Sequence, residues 1–358
     1  MLRILLILLA LAASPLARAA EEVQFFRIGT AATTGTYFQI GGVLASAISK
    51  PPGTRDCEHG GSCGVANLVA VAQATQGSIE NLLAIGAGQL DSGFAQSDVA
   101  HWAYAGDAPA AAAVRCRAPA AETQRLASGL QLLRNRGAMP NLRLIAALFP
   151  EAIHVVVKAD SKIRSLKDLR GKRVSLGEPG SGTLADARLV LDAAGVSECD
   201  VTVKFLRLAP AAEALAAGEI DAFFIVAGPP VPAVAEIASL VPVRLVPVDA
   251  AAMRKLMGRP PYFHADTIAG GTYPGIDEPV ETVGVTALWV VGAASADAMV
   301  YAITRSLWQD TTRRLLDFSH PAGRHIRLGS ALADTGLPLH PGAARYYAER
   351  GMELPPAR

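Results

Sequence analysis

Short apolar runs that end in glycine or hydroxyl residues alternate with alanine- and leucine-rich stretches along most of the chain. The run at residues 23–29 predicts a strand, and the stretch at 37–49 predicts a helix. A threonine- and glycine-rich turn lies between them. The first N–H groups of a helix lack partners within it, and the positive end of the helix dipole points the same way. The turn therefore predicts a binding position for an anion, with an ordinary capped βα turn as the alternative.

A second copy of this pattern lies near the middle of the chain. Residues 171–183 form a short apolar run followed by a Gly/Ser/Thr turn, and a helical stretch at 184–194 ends at Gly195. Two such turns facing each other across a cleft would hold a small acid between them. We therefore expect Thr33 and Ser181 to lie in one shared hollow.

A polar triplet follows the short strand predicted at residues 90–95. Gln96, Ser97 and Asp98 precede a helix that starts near residue 99. Open α/β sheets place ligand contacts at the carboxyl ends of their strands. Ser97 and Asp98 could equally serve only as helix caps, whereas Gln96 is a poor cap and a stronger candidate for binding.

Later in the chain, predicted strands and helices alternate at the spacing typical of a parallel sheet with helices on both faces. The strands are predicted at residues 201–206, 220–226 and 243–248, and the helices at 209–217, 231–240 and 250–257. The stretch at 65–74 fits either a strand or a buried helix. Residues 122–134, 297–318 and 343–350 are predicted helical, and 262–274 irregular.

Two long apolar runs, at residues 141–158 and 283–292, are predicted to be strands that cross between two lobes. The expected division places residues 20–155 and 285–358 in lobe one and 156–284 in lobe two, around a hinged cleft. His154 lies within the first of these runs. A histidine in apolar surroundings indicates a core residue with satisfied hydrogen bonds rather than a catalyst.

The chain has 358 residues, of which 51% are hydrophobic, and a formal net charge of +1. This composition suits two lobes with sizeable cores, and no basic excess points to nucleic acid. Arg3, an apolar run at 4–13 and small residues at Ala17 and Ala19 predict a signal peptide at 1–19, cleaved near Ala19. The mature protein is then expected in the periplasm, with an uncleaved anchor as the alternative.

Export would place the four cysteines in an oxidising compartment. Cys57 and Cys63 flank a glycine-rich loop, so we predict a disulfide between them. Cys116 and Cys199 would form the remaining pair, although they fall in different predicted lobes. Zinc binding by Cys57, His59 and Cys63 is the alternative. No fourth ligand lies at a clearly suitable spacing, however, and we expect no metal.

Signals for catalysis are poor. The turn at 177–183 superficially resembles a nucleotide-binding loop, but that motif needs a lysine before the hydroxyl residue, and Gly182 stands there instead. No His-Glu-x-x-His pair occurs, and the seven histidines are scattered. The sequence thus predicts neither an enzyme nor a cofactor-binding protein.

Taken together, several segments resemble the solute-binding subunits of TRAP transporters of the TAXI family. The resemblance covers nearly the whole mature chain in the same order. It is carried by Ile28-Gly29-Thr30 with Gly35-Thr36-Tyr37, Gly77-Ser78-Ile79-Glu80-Asn81, Phe94-Ala95-Gln96-Ser97-Asp98-Val99-Ala100, Pro150-Glu151-Ala152-Ile153-His154, Gly177-Glu178-Pro179-Gly180-Ser181-Gly182-Thr183 and Thr272-Tyr273-Pro274-Gly275.

The resemblance implies an α/β protein of the type II periplasmic-binding-protein fold, with two lobes of mixed or parallel sheet flanked by helices. It implies a monomer that captures a small organic acid such as glutamate or 2-oxoglutarate by cleft closure. The partner would be a TRAP membrane permease with fused small and large subunits. The alternative is a ligand-sensing subunit for a membrane histidine kinase.

Carried over position by position, the family's pocket maps onto twelve residues from both predicted lobes. They are Thr30, Thr33, Thr34, Tyr37, Gln96, Ser97, Ser181, Gly182, Thr183, Gly228, Pro229 and Tyr273. The first turn departs from the family, because Ala31-Ala32 and Thr33-Thr34 stand where glycine is commoner. The loop with Cys57 and Cys63 is an elaboration of the commoner pattern.

Overall fold

A computed structural model describes residues 22–109, 128–258, 262–333 and 336–356. The predicted signal peptide, Cys116 and residues 122–127 of one predicted helix lie outside the described residues. Within them, no helix is both long enough and apolar enough to cross a bilayer.

The strands of the described residues follow the apolar runs of the sequence. They are β1 (Gln24–Gly29), β2 (Ser49–Lys50), β3 (Val65–Ala66), β4 (Leu68–Gln73), β5 (Ser92–Gln96), β6 (Leu142–Lys158), β7 (Arg173–Ser175), β8 (Thr202–Lys204), β9 (Ala222–Ala227), β10 (Val243–Leu245), β11 (His264–Ile268) and β12 (Val280–Gly292). The segment at 65–74, which the pattern left open, is therefore mainly strand.

The α-helices lie between these strands and after the last one. They are α1 (Thr36–Ile48), α2 (Ser78–Gly86), α3 (Ser97–Ala105), α4 (Ser128–Arg136), α5 (Gly182–Ala193), α6 (Leu208–Ala217), α7 (Pro232–Leu240), α8 (Ala250–Met257), α9 (Asp297–Leu307), α10 (Asp310–Ser319) and α11 (Pro341–Glu349). Their bounds agree with most predicted helices to within two residues.

One mixed sheet contains ten of these strands, with the order β4-β1-β5-β12-β6-β9-β7-β8 and with β10 paired to β6 and β11 to β12; β2 and β3 form a separate two-stranded sheet. Strand β1 runs parallel to β4 and β5, and β7 runs parallel to β8 and β9. Strands β12 and β6 are antiparallel to each other and to their outer neighbours β5 and β9. The predicted fold class, a mixed α/β sheet flanked by helices, is confirmed.

The two long central strands connect the parallel parts of the sheet. The N-terminal part of β6 pairs with β12, whereas residues 152–157 pair with β9. We call β4, β1 and β5 with helices α1–α3 the first half, and β9, β7 and β8 with helices α5–α7 the second half. The predicted lobe boundaries at 155 and 285 fall on these long strands, and the division itself stays a prediction.

Helices cover both faces of the sheet. Side chains on both faces of β6 are therefore buried, and the strand is apolar at most positions. One core lies under α2, α3, α5 and α8, a second under α1, α9, α10 and α11, and a third under α6 and α7. In the second core, the ring of Phe94 makes edge-to-face contacts with Tyr37 at 5.5 Å and Trp289 at 6.2 Å. The rings near Tyr37 thus anchor the start of α1.

One prediction of local structure is wrong. The segment predicted as irregular at 262–274 contains β11, which pairs antiparallel with β12; its partly exposed polar residues hide the strand pattern. The segment predicted helical at 297–318 forms two helices, α9 and α10. Between them, the indole Nε1 of Trp308 donates to the Tyr347 hydroxyl at 3.2 Å.

The predicted disulfide between Cys57 and Cys63 is confirmed. It closes an exposed loop between β2 and β3. The zinc alternative for this loop is wrong, because both thiols are consumed by the bond.

Asn81, in α2, ties together three segments that end near the same edge of the sheet. Its Nδ2 donates to the carbonyls of Thr30 at 2.7 Å and Phe94 at 2.8 Å, and its Oδ1 accepts from the Thr75 hydroxyl at 2.8 Å. The side chain is fully buried. It therefore fixes the ends of β1 and β5 relative to the start of α2.

We expect Asn81→Ala to lower the free energy of unfolding by about 2–4 kcal/mol, because buried carbonyl and hydroxyl groups lose their partners. Urea denaturation followed by circular dichroism measures this loss. The matched control is Asn135→Ala, at an exposed position in α4, which should change stability by less than about 0.5 kcal/mol. Equal losses in the two variants would contradict this role of Asn81.

Candidate functional site

A cavity of about 70 Å³ lies between the two halves, where residues following the carboxyl ends of several strands converge. The first half contributes Ala31, Ala32, Gly35, Thr36, Tyr37, Gln76, Gly77, Ser78 and Gln96. Strand β6 contributes Glu151. The second half contributes Gly177, Glu178, Ser181, Gly182, Thr183, Leu206, Leu208, Ala211 and Phe224–Ala227.

Three helices begin at this cavity. Helices α1 and α2 have glycine N-caps, Gly35 and Gly77, which supply no side chain to their first amides. Gly77 has a φ of 119°, a conformation that disfavours any other residue. Helix α5 is capped by Ser181, whose hydroxyl accepts from the Leu184 N–H at 3.1 Å. The Glu80 N–H in the first turn of α2 donates to the Gly180 carbonyl, and the earlier amides of α1 and α2 are left for water or a ligand.

Direct hydrogen bonds hold the two halves together around the cavity. The Gly180 N–H donates to Oε1 of Gln76 at 2.8 Å, and the Glu80 N–H donates to the Gly180 carbonyl at 3.1 Å. The Thr36 hydroxyl donates to the Gly228 carbonyl at 2.6 Å. The two halves are therefore in direct contact around the cavity.

Gly182 permits the closest approach between the halves. A Cβ added at this position would overlap Oε1 of Gln96 and lie 2.9 Å from the Ser78 hydroxyl oxygen. Gln96 cannot simply turn away, because its Nε2 donates to Oδ2 of Asp186 at 2.8 Å. Both Gln96 and Asp186 are buried. The close packing of the two halves at this point thus requires a residue without a side chain at position 182.

Glu151 is the most deeply buried ionisable group that lines the cavity, with 1% of its surface exposed. The Tyr37 hydroxyl donates to its Oε2 at 2.7 Å. Burial raises the pKa of Glu151 well above its usual value, and this effect outweighs the Tyr37 hydrogen bond, which lowers it. Burial therefore favours the neutral form of Glu151, which can donate a hydrogen bond.

Glu178 lies at the rim of the same cavity and pairs with Arg207 at 3.2 Å. Burial raises the pKa of Glu178 to about 7, although Arg207 acts in the opposite direction. The rim therefore changes charge near neutral pH. Its guanidinium partner is more than half exposed, which weakens the ion pair.

His154 and Tyr273 form a buried hydrogen-bonded pair away from the cavity lining. The Tyr273 hydroxyl accepts from the Val231 N–H at 2.9 Å and lies 2.8 Å from Nε2 of His154. The other ring nitrogen of His154 lies 2.9 Å from the Ala152 carbonyl. Burial lowers the pKa of His154 to about 4, so the ring is neutral. His154 is a core histidine with satisfied hydrogen bonds, as predicted.

Five of the twelve predicted site residues line the cavity: Tyr37, Gln96, Ser181, Gly182 and Thr183. Their contribution to binding stays a prediction. Two of their hydroxyls also have structural partners. Ser181 caps α5, and the Thr183 hydroxyl accepts from the Val226 N–H at 3.2 Å.

The structure does not bring the other seven predicted residues to the cavity lining. Three of them lie in or after the first turn: Thr30, Thr33 and Thr34. The Thr30 hydroxyl donates to the Gln73 carbonyl, and the Thr34 carbonyl accepts from the Ala233 N–H. Thr33 is exposed and lines a separate groove with Phe38. The expected hollow shared by Thr33 and Ser181 is therefore absent, because the turn directs Thr33 outward.

The remaining four predicted residues are Ser97, Gly228, Pro229 and Tyr273. The Ser97 hydroxyl accepts from the Thr286 N–H at 3.1 Å and thereby supports the sheet. The Gly228 carbonyl accepts a hydrogen bond from the Thr36 hydroxyl, and the Tyr273 hydroxyl is hydrogen-bonded to His154. These contacts give Ser97, Gly228 and Tyr273 structural partners behind the cavity wall.

Glu151, Glu178 and Ser78 line the cavity but were not among the predicted site residues. Glu151 carries one signal in the sequence, since it is an acid within the apolar run 141–158. Its partner Tyr37 is 114 positions away, so the chain pattern could not reveal the contact. Among the described residues, no group of three or more His, Cys, Asp or Glu side chains is arranged to hold a metal ion.

We expect Gly182→Ala to weaken solute binding about tenfold or more, because closure would break a buried hydrogen bond that is worth about 1–3 kcal/mol. The halves should still fold, so the melting temperature should stay within a few degrees. Titration calorimetry and thermal denaturation measure the two effects. Gly42→Ala is the matched control, because a Cβ there meets nothing within 4 Å. Unchanged affinity in Gly182→Ala would disprove the proposed close approach.

Comparison with solved structures gives distant matches. The alkanesulfonate-binding protein SsuA from Xanthomonas axonopodis pv. citri, bound to MOPS, is 17% identical, with a TM-score of 0.46 over 92% of this chain and 85% of that chain. PhnD1 from Prochlorococcus marinus (MIT 9301), in complex with methylphosphonate, is 13% identical, with a TM-score of 0.45 over 82% and 89%. An ancestral arginine-binding protein bound to arginine is 13% identical, with a TM-score of 0.44 over 82% and 97%.

The sequence pattern of one protein family matches this chain over residues 28–117 and 123–351. The match includes every element that contributes to the cavity, from the end of β1 to the end of β9. The protein belongs to the NMT1-like family.

Proposed function

We propose that this protein is an exported solute-binding protein that captures a small organic acid by closing its two halves around it. The main support for this proposal is that helices α1, α2 and α5 all begin at the same cavity. Each helix N-terminus favours negative charge, and its amides point at the bound group. A carboxylate fits this environment.

The ionisable groups of the cavity agree with an anionic solute. Burial favours the neutral form of Glu151, which can donate a hydrogen bond to a carboxylate oxygen. Glu178 is offset by Arg207 and loses its charge below about pH 7. Apolar side chains such as Leu206 and Phe224 complete the lining and would contact a short carbon chain.

The cavity limits the size of the solute. A volume of about 70 Å³ accommodates about five water-sized probes. We therefore favour an acid of a few carbon atoms, such as glutamate or 2-oxoglutarate, over a larger compound. The polar side chains at Ser78, Gln76 and Gln96 would fix its orientation.

Binding without turnover fits the hydroxyl groups of the lining. The Ser181 hydroxyl donates to the Glu178 carbonyl, and the Thr183 hydroxyl accepts from a backbone amide. A nucleophilic hydroxyl needs a neighbouring general base. No histidine among the described residues is part of the lining, and His154 of β6 is hydrogen-bonded to Tyr273 instead.

The proposed partner is a TRAP-type membrane permease. The TAXI resemblance supports it, because segments that carry the resemblance converge on the cavity: 35–37, 77–78, 96, 151 and 177–183. A permease can recognise occupancy only through a conformation that the solute favours. Closure of the two halves supplies such a conformation.

The decisive experiment is a thermal-shift screen of the purified mature protein against amino acids, keto acids and dicarboxylates. We expect at least one small acid to raise the melting temperature by several degrees, because a ligand that binds only the folded state stabilises it. Sulfonates, phosphonates and amines serve as comparison sets. A shift confined to amines, or none across all sets, would contradict the proposal.

We expect Glu178→Gln to strengthen binding of an anionic solute at pH 8 by about fivefold, because it removes a nearby negative charge and releases Arg207. It should also reduce the loss of affinity between pH 6 and 8, where Glu178 ionises. Titration calorimetry measures both effects. Glu219→Gln, at an exposed position outside the cavity, is the control. Weaker binding in Glu178→Gln would indicate a cationic solute instead.

A further inference from the structure

Two buried aspartates meet between the halves, next to the cavity. Asp98 lies in α3 of the first half and Asp186 in α5 of the second. Both side chains are fully buried, and the two carboxyl groups are close enough for each to affect the pKa of the other. Gln96 connects them to the cavity, since it lines the cavity and donates to Oδ2 of Asp186 at 2.8 Å.

Three of the four carboxyl oxygens of this pair, Oδ1 and Oδ2 of Asp98 and Oδ1 of Asp186, have no hydrogen-bond partner in the described part of the chain. The nearby backbone N–H groups of Asp98 and Val99 lower the pKa of Asp98 but are not aligned for a hydrogen bond. Carboxylate oxygens only accept hydrogen bonds, so two ionised groups cannot bond to each other. A proton held by one carboxyl supplies the missing donor.

We propose that Asp98 and Asp186 form a proton-binding site between the two halves, so that closure around a solute takes up one proton. This inference rests on the proposed function, because it assumes that the halves separate and close. When the cleft opens, water solvates both carboxylates and the proton is released. When it closes, the proton bonds to one carboxyl and is donated to the other.

The surroundings of the pair favour one shared proton. Asp98 lies in the first turn of α3, where the helix dipole favours the ionised form, so the proton belongs mainly to Asp186. Tyr37 of α1 and Gln96 of β5 are neutral polar groups near the pair. Glu151 of β6 also acts on Asp186 and raises its pKa further.

The direction of the pH effect follows from linkage. Burial raises the pKa of Asp186 well above its ordinary value and also raises that of Asp98, whereas an exposed aspartate titrates near about 3.9. The free energy that the proton contributes to closure is fully present below the pKa of the open state. It is lost as the pH rises through the pKa of the closed state. Between these values, one proton is taken up for each solute bound, and affinity falls about tenfold per pH unit.

The test is titration calorimetry of the mature protein with the acid found in the thermal-shift screen, in two buffers of different ionisation enthalpy. Asp186→Asn is the key variant, because its amide can donate to Asp98 without titrating while its oxygen still accepts from Gln96. We expect the wild type to take up about one proton more per solute than Asp186→Asn. The variant's affinity should be correspondingly less dependent on pH. Asp160→Asn, at an exposed position, should match the wild type.

Glu151 has its own raised pKa, so the difference between wild type and Asp186→Asn is the measured quantity rather than total uptake. Equal uptake in the two proteins would overturn the inference while leaving the proposed function intact.

If no acid binds, infrared spectroscopy at neutral pH decides separately. A protonated-carboxyl band that is weaker in Asp186→Asn than in the wild type supports the proton site even though the proposed function has failed. An identical band overturns the proton site.

Discussion

The antiparallel pairing of β6 with β12 is the constraint on which the rest of the structure depends. These are the longest strands of the described residues, and they pass from one half of the sheet to the other. Parallel strands flank them on both sides, so each half brings carboxyl strand ends and helix starts to the same region. The cavity forms there, and Glu151 lies on β6 at the point where its partner changes from β12 to β9.

The charge balance of the cleft is a second consequence of this arrangement. Three helix N-termini make the region electropositive, and buried acids offset them. Burial raises the pKa values of Glu151 and Asp186 and so favours their neutral forms. Glu151 lines the cavity and in that form adds no negative charge beside the helix starts.

Much of the fold could be predicted because its signals are local. The apolar run of β6, the glycine-rich loop between Cys57 and Cys63 and the helix starts at both turns depend on neighbouring residues. The direction of individual side chains could not be predicted in the same way. Thr33 fits an anion-binding turn by composition, yet the turn exposes it on another surface.

The polar contacts across the cleft were beyond sequence reasoning for a related reason. Gln96 and Asp186 are 90 positions apart, and Tyr37 and Glu151 are 114 apart. A lone acid in a helix pattern such as α5 is normally read as a solvent-facing residue. Only the approach of the two halves makes Asp186 a buried group with a partner.

The closing contacts also explain how a small solute could control the conformation. The direct contacts around the cavity are a few hydrogen bonds to backbone groups and the overlap-free fit of Gly182 against Gln96. One apolar core extends under α2 and α3 of the first half and α5 of the second, and the other two cores lie under α1 with α9–α11 and under α6 with α7. Polar contacts exchange readily with water and contribute only about 0.5–1.5 kcal/mol each. In the proposed mechanism, an acid that binds the closed form more tightly than the open form would shift the equilibrium towards closure.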